Sequence, residues 1–376
     1  MHPNFQHLLQ QATQLTRQGE LQAATRAIQE ALRHPGGPDI DDDVIDVVAR
    51  EVPDAGLRAL PGLDPAQRPQ ARDRRAEPDR PAPGLDADGR APGAFVRGRH
   101  GGAGLAGRDY KLFVPPGAGS RPMPLVLMLH GCTQEPDDFA AGTRMNELAE
   151  AHGFFVLYAA QSQRANPQRC WNWFKSSHQV RGRGEPELLA GMVRDVMAHH
   201  SIDPARVYVA GLSAGGAMAA IVAAAYPDLF AAVGVHSGLA PGAAQDLPSA
   251  LEAMKKGAGG KPRALTLPTI VFHGDADPTV HPANALHLIE AARQPGVGST
   301  ESDELSANGR RKTTRKVHRD TAGAVIMEHW LVHGSAHAWS GGSARGSYTD
   351  PQGPDASAEM LRFFLEHAKD ITRGGL

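Results

Sequence analysis

Short apolar runs alternate with amphipathic stretches from about residue 95 to residue 370. The runs are five to nine residues long and rich in β-branched and aromatic side chains, which is typical of buried strands. Strands that alternate with helices predict an α/β fold, with a mostly parallel sheet covered by helices on both faces. The predicted strands span residues 110–114, 124–131, 154–160, 206–211, 269–274 and 324–332, and the clearest helices lie around residues 139–152, 187–200 and 214–226.

The N-terminal part of the chain follows another pattern. Residues 1–35 carry apolar residues at helical spacing on both sides of Gly19, which predicts a helical hairpin. Such a hairpin either packs on its own chain or binds a partner or an apolar surface. Its clearest stripe consists of Leu21, Ala24, Ile28 and Leu32.

Residues 61–92, between the hairpin and the globular part of the chain, are poor in large apolar residues. Residues 61–92 contain seven prolines, and Leu63 and Leu85 are their only large apolar side chains. Such a sequence buries too little surface to offset its ordering entropy, so residues 36–94 are predicted to form a flexible linker. A polar stretch at residues 295–316 is predicted to be an exposed loop of the following domain.

Composition excludes several classes of partner. The formal net charge of −2 gives no electrostatic reason to bind nucleic acid. No apolar run approaches the roughly 20 residues of a membrane span, and the N-terminus lacks the features of a signal peptide. Two cysteines are too few for a disulfide scaffold, so the expectation is a cytoplasmic protein, with export by an unseen route as the alternative.

Ser213 lies in the pattern G-x-S-x-G, formed by residues 211–215. The apolar strand at 206–211 runs directly into this pattern, and a stretch of small residues suited to a closely packed helix follows it. This arrangement predicts a nucleophile elbow of the α/β-hydrolase fold, with Ser213 as the catalytic serine of a domain at residues 95–370. The alternative is a serine that merely caps a glycine-rich helix.

Two backbone N–H groups are candidates for an oxyanion hole. In this architecture one donor is the residue after the nucleophile, here Ala214, and the other comes from a loop after an earlier strand. Cys132 is the candidate for the second donor, because Gly131 lets the chain turn inward at the end of the strand at 124–131. The alternative is an ordinary turn at a strand end.

The acid and the base are expected downstream of the serine, in that order. Asp275 and Asp277 both follow the strand at 269–274, and Asp277 is favoured because the loop must travel a few residues to reach a histidine. His337 is the predicted base, whereas His333 lies nearer its strand and is predicted to be structural. No standard metal-ligand motif is present, so no metal is predicted.

One glycine pattern is misleading. Residues 102–107 match G-x-G-x-x-G, but a dinucleotide site needs a helix after this pattern and a strand follows instead. No cofactor is therefore predicted.

Six segments in this order, LHGCTQ, CWNWF, GLSAGGAMA, FHGDADPTV, HAWSGG and GSYTDPQGPDAS, resemble the polyhydroxybutyrate depolymerase family of esterases. The resemblance covers about residues 95–370 and implies hydrolysis of poly(3-hydroxybutyrate) or its oligomers. Feruloyl and acetylxylan esterases lie within or beside the family and supply the alternative substrates. A non-catalytic binding protein on the same scaffold is the competing hypothesis, but neither the serine nor the histidine is missing.

The resemblance also has implications for individual residues. It supports Ser213, Asp277 and His337 as a triad with an oxyanion donor at Cys132. It implies that Cys132 and Cys170 lie close together, either joined in a disulfide or, as a cytoplasmic setting favours, as two thiols. Aromatic and amide side chains are predicted to border the substrate cleft, with core packing as the alternative, and these are Trp171, Asn172, Trp173 and Trp339. Secreted members of the family carry a signal peptide; its absence here and the amphipathic stripe ahead of the linker suggest that residues 1–35 bind a polymer granule.

Overall fold

The computed structural model describes residues 92–101, 107–293, 297–306 and 309–370. The helical hairpin and most of the linker predicted from the sequence, together with most of the G-x-G-x-x-G segment, lie outside these residues. The described residues form one mixed sheet and the helices that cover it. The strands of the sheet are β1 (Ala94–His100), β2 (Arg108–Val114), β3 (Met123–Leu129), β4 (Phe155–Ala159), β5 (Ile202–Leu212), β6 (Ala232–His236), β7 (Thr269–Gly274), β8 (Val297–Leu305), β9 (Thr313–Asp320) and β10 (Val325–Val332).

The sheet has the order β1-β2-β4-β3-β5-β6-β7-β10-β9-β8. Its six central strands, β4 to β10 in that order, run parallel, whereas the two strands at each edge pair antiparallel. The carboxyl ends of β3, β5, β6, β7 and β10 therefore meet at one edge of the sheet. In open parallel sheets this edge is where ligands bind.

Helices cover both faces of the sheet, as the alternating pattern predicts. One face packs against α3 (Gly184–His199), α4 (Ala214–Ala225), α5 (Leu247–Lys256) and α6 (Ala283–Ala292), and the other packs against α1 (Pro136–Thr143), α2 (Met145–His152) and α7 (Ala356–Leu365). The central strands β3, β4, β6 and β7 are buried along their whole length. This explains why β3, β4 and β7 are continuous apolar runs in the sequence rather than alternating ones.

The prediction of an exposed loop at residues 295–316 is wrong. This segment contains β8 and the beginning of β9, which pair antiparallel at the edge of the sheet. Residues 298–305 of β8 are exposed, so the strand has no apolar face that a sequence pattern could reveal. Backbone pairing with β9, rather than burial, holds this strand in place. Strands β1 and β6 were also absent from the sequence prediction.

Two short strands lie outside the main sheet. β11 (Trp339–Ser340) and β12 (Thr349–Asp350) pair parallel to each other after β10. They connect the segment after His337 to the chain that leads into α7. Within the described residues, no helix is both long and apolar enough to cross a membrane.

Candidate active site

Ser213 occupies a strained turn between β5 and α4. Its backbone dihedrals are φ 58° and ψ −121°, a combination that costs a non-glycine residue free energy and that clusters at functional sites. Glycines make the turn possible, because a Cβ at Gly215 would lie 2.0 Å from the Leu129 carbonyl oxygen. A Cβ at Gly211 would lie 2.4 Å from the Gly215 carbonyl carbon. The elbow geometry predicted from G-x-S-x-G is therefore present.

The loop after β3 lies directly beside this serine. A Cβ built on Gly131 would be 3.6 Å from the Ser213 Cβ. The Gly131 N–H donates to the Gln134 side-chain oxygen at 3.0 Å, which fixes the turn. Among the described residues, the N–H groups of Cys132 and Ala214 have no hydrogen-bond acceptor. Two free N–H groups beside a serine are the arrangement that an oxyanion requires.

Asp277 and His337 form a buried pair at the same edge of the sheet. The Asp277 carboxylate lies 2.7 Å from the His337 Nδ1 and is fully buried, while 10% of the His337 side chain is exposed. The other Asp277 oxygen accepts the N–H groups of Thr279 and Val280, each at 2.9 Å. The carboxylate therefore fixes the imidazole from a rigid position.

Asp277 is held in its ionised form. Burial by itself raises its pKa, but hydrogen bonds from His273 and His337 and from the Val280 N–H outweigh burial and keep the pKa far below 3.8. An ionised carboxylate next to Nδ1 selects the imidazole tautomer with its proton on that nitrogen. The remaining nitrogen, Nε2, is then free to accept a proton.

A second Asp–His pair lies on the same two loops. Asp275 contacts the His333 Nδ1 at 2.7 Å, but about a third of each side chain is exposed. Its other oxygen accepts the Gly334 N–H at 2.6 Å, and the His333 Nε2 lies 2.8 Å from the Thr314 hydroxyl. The structural role predicted for His333 fits these contacts.

His236, at the end of β6, is a structural histidine that links two parts of the site. Its carbonyl oxygen accepts the Ser213 N–H at 2.9 Å, and its Nε2 accepts the Ser340 N–H at 2.9 Å. The ring also stacks between Phe272 and Trp339, with centroids 5.7 and 5.2 Å away. Burial lowers the pKa of His236 to about 3, so the ring is neutral and can accept this hydrogen bond. It thus joins the serine turn to the loop of His337.

The two cysteines are joined in a disulfide. Cys132 and Cys170 have Cα atoms 4.2 Å apart, so the predicted proximity is confirmed; of the two states that the sequence left open, the disulfide is present rather than the thiol pair favoured for a cytoplasmic protein. The bond ties the oxyanion loop, which is the segment 130–135 between β3 and α1 that carries Cys132, to the segment before α3. A backbone hydrogen bond between the Thr133 N–H and the Gln168 oxygen, 2.7 Å long, makes a second link between the same segments.

The prediction that the segment after Cys170 contacts substrate is corrected by burial. The side chains of Trp171, Asn172 and Trp173 are buried in the core. The Trp171 indole donates to the His130 carbonyl oxygen at 3.1 Å. The Asn172 backbone and side-chain N–H groups both donate to the buried Glu185 carboxylate at 2.7 Å. Trp171 therefore supports the loop after β3, and the three buried side chains offer almost no surface to a substrate.

Trp339 is corrected in the same way. Its side chain is buried, its indole N–H donates to the Ser357 hydroxyl at 3.0 Å, and its ring packs edge-on against Phe139. The sequence alone does not show whether an aromatic residue beside such a motif packs in the core or binds substrate.

The sheet order, the strained serine after β5 and the buried Asp–His pair after β7 and β10 define an α/β hydrolase. The acetyl xylan esterase from Aspergillus awamori has a similar fold, with a TM-score of 0.54 and 19% identity over 73% of this chain and all of that one. The chain belongs to the esterase PHB depolymerase family, whose model matches residues 108–296.

Several characterised proteins are similar in sequence. The poly(3-hydroxyalkanoate) depolymerase C of Paucimonas lemoignei is 34% identical over 229 residues, 57% of this chain and 54% of the relative. The feruloyl esterase B of Neurospora crassa is 33% identical over 129 residues, 34% of this chain and 43% of the relative. The acetylxylan esterase A of Talaromyces purpureogenus is 28% identical over 198 residues, 46% of this chain and 50% of the relative. The chain thus spans about half the length of these relatives.

Proposed function

We propose that the protein is a serine esterase that works through an acyl-enzyme. Ser213 Oγ attacks the ester carbonyl while His337 Nε2 takes its proton, and Asp277 stabilises the imidazolium that forms. The N–H groups of Cys132 and Ala214 stabilise the oxyanion, at roughly 3 kcal/mol each. His337 then returns the proton to the leaving alcohol, and water attacks the acyl-enzyme with His337 again as base.

The observation that carries this proposal is the buried Asp277–His337 hydrogen bond, 2.7 Å long, at the sheet edge where Ser213 sits in its strained turn. Burial of an ionised carboxylate costs free energy, and orientation of a catalytic histidine accounts for that cost, whereas binding alone does not require it. Turnover of p-nitrophenyl butyrate by the purified protein tests the proposal. Absence of turnover by a folded sample would refute it.

For the substrate, we propose poly(3-hydroxybutyrate) or its oligomers. The family match and the depolymerase relative support this choice. The feruloyl and acetylxylan esterase relatives support the alternative of a carbohydrate ester. The test measures 3-hydroxybutyrate released from amorphous granules and compares it with hydrolysis of methyl ferulate and of acetylated xylan. Ser213→Ala is the control for release that does not depend on the site.

We also propose that residues 1–35 hold the enzyme at a polymer granule. A tethered catalytic domain gains effective concentration at the surface without any new contact in the site. The experiment deletes residues 1–92 and compares hydrolysis of a soluble ester with hydrolysis of granules. If the deletion lowers granule hydrolysis but leaves hydrolysis of the soluble ester unchanged, the tether is supported. If the deletion variant keeps both activities equally, the tether is excluded.

Cellular location is a further proposal with two versions. Granule association calls for a cytoplasmic protein, whereas the Cys132–Cys170 disulfide favours an oxidising compartment and hence export. Thiol trapping of the native protein in cell fractions separates them. A thiol pair in the cytoplasmic fraction supports the granule version, and a disulfide outside the cytoplasm supports export.

A further inference from the structure

Tyr348 is the one aromatic side chain that stands exposed among the large apolar residues of the described chain. It is 47% exposed, whereas the aromatic residues predicted to bind substrate are buried. Its backbone φ of 52° is in the left-handed region, which is a genuine outlier for a bulky residue. Burial in the core therefore does not account for the presence of an aromatic side chain at this position.

The position of Tyr348 relates it to both halves of the site. Its hydroxyl lies 3.2 Å from the hydroxyl of Thr133, the residue that follows the oxyanion donor Cys132. Its carbonyl oxygen accepts the N–H of Trp339 at 2.7 Å, two residues after His337. The phenol ring therefore stands at the rim between the oxyanion loop and the loop of the base.

The loop that carries Tyr348 is fixed rather than loose. The preceding residue, Ser347, donates its N–H and its hydroxyl to the Asp138 carboxylate at 2.8 and 2.5 Å. The Gln134 amide donates to the Ser347 carbonyl oxygen at 3.2 Å, and the same side chain accepts the Gly131 N–H. One glutamine thus positions both the oxyanion loop and the tyrosine. Strain that surrounding contacts enforce in this way is a mark of ligand-binding positions.

We propose that Tyr348 is a specificity-determining residue whose ring packs on an apolar group next to the scissile ester. The ring offers a rigid apolar face of large area at low entropic cost, and its hydroxyl is anchored by Thr133. The group it contacts is a hydrocarbon chain or ring, on either the acyl or the alcohol side of the ester. The inference rests on the proposed esterase function and names the part of the substrate that this site selects.

The test compares Tyr348→Ala with Tyr348→Phe in two series of esters. One series extends the acyl chain of p-nitrophenyl esters from acetate to octanoate, and the other extends the alcohol of acetate esters from methyl to hexyl. Alanine keeps the β-carbon and hence the backbone strain, so the comparison isolates the ring. Leu365→Ala, at the end of α7 and 44% exposed, is the matched control for loss of exposed apolar surface.

We expect KM of Tyr348→Ala to rise with substrate length, by about tenfold for the longest members and about twofold for the shortest. Tyr348→Phe stays within about twofold of the wild type throughout, because the ring makes the contact. A length-dependent rise in either series supports the proposal and identifies the side of the ester. An unchanged KM, or a fall in kcat that is equal for every ester, overturns it.

The same experiment distinguishes a failure of the proposed esterase function from a failure of the proposed role of Tyr348. If the wild type hydrolyses no ester, the proposed function fails; if it is active and Tyr348→Ala behaves like Leu365→Ala, only the role of Tyr348 fails. Melting temperatures are measured for each variant. If Tyr348→Ala does not fold, Tyr348→Leu replaces it. A KM of Tyr348→Leu that does not rise with substrate length relative to the wild type also contradicts the proposal.

Discussion

Two Asp–His pairs stand side by side on the loops after β7 and β10, and they differ in two respects that decide their chemistry, of which the first is burial. In both, the carboxylate lies 2.7 Å from Nδ1 of the histidine. In the pair of Asp277 and His337 the side chains are 0% and 10% exposed, whereas in the pair of Asp275 and His333 they are 37% and 33% exposed. The same hydrogen bond is stronger where water is excluded.

The second difference concerns the far nitrogen of each ring. The His333 Nε2 is occupied by the Thr314 hydroxyl at 2.8 Å. For His337, only the contact of Nδ1 with Asp277 is found in the described part of the chain, so Nε2 is free for a proton from Ser213. A general base needs an orienting partner on one nitrogen and a vacant position on the other. Only the buried pair meets both conditions.

Removal of the serine has the largest expected effect and tests whether the buried pair serves a nucleophile. Ser213→Ala should lower kcat by about 10⁶-fold, as in a serine protease of the same catalytic type, while the fold survives. Hydrolysis of p-nitrophenyl butyrate measures the effect. Ser237→Ala is the matched control, since Ser237 also has a positive φ at the end of the neighbouring strand β6. Similar losses in the two variants would contradict the assignment.

The second prediction compares the two acids directly. Asp277→Asn should lower kcat by about 10⁴-fold, because an amide stabilises the wrong histidine tautomer. Asp275→Asn should lower it by no more than about fivefold, as expected for a partly exposed pair. Steady-state kinetics of both variants at one pH make the comparison. Equal or reversed losses would move the role of the acid to Asp275.

The third prediction concerns stability against pH. The pKa of Asp275 is lowered: burial opposes the shift, but hydrogen bonds from His333 and Gly334 outweigh it. Asp275 therefore stabilises the fold above the unfolded-state pKa of about 3.8, and this contribution disappears as pH falls through the lower folded-state pKa. The melting-temperature difference between wild type and Asp275→Asn should shrink below about pH 3.8.

The buried pair supplies the contrast for that experiment. Because the pKa of Asp277 is held much lower, the difference between wild type and Asp277→Asn should persist to more acidic pH. Thermal unfolding followed from pH 7 towards pH 3 gives both curves. A difference for Asp275→Asn that is constant with pH would show that its carboxylate does not couple to folding.

The smallest effect is expected at the outer end of the exposed pair. Thr314→Val removes the hydroxyl that occupies the His333 Nε2 and should cost about 1 kcal/mol of unfolding free energy. Turnover should change by less than about twofold, because His333 does not touch the reacting atoms. Urea unfolding and kinetics on the same samples measure both quantities. A large loss of activity at unchanged stability would give His333 a part in catalysis.

The sequence by itself determined the class of fold and the order of the proposed catalytic residues, because short local patterns of residue types indicate both. Six apolar runs locate strands of the sheet, and the run into Gly211 and Ser213 defines the elbow, since a tight turn between strand and helix admits only small residues. The preference for Asp277 over Asp275 followed from the same kind of local argument about loop length. Each of these signals lies within a few consecutive residues of the chain.

Tertiary structure alone decided the features that depend on distant segments. Burial separates the two Asp–His pairs, places Trp171 and Trp339 in the core and leaves Tyr348 exposed, although all three aromatic residues lie in motifs of the same family. The exposed strand β8 is held by its pairing with β9 and has no periodic pattern of its own. Water exclusion and backbone pairing are properties of the assembled sheet, so no local stretch of the chain encodes them.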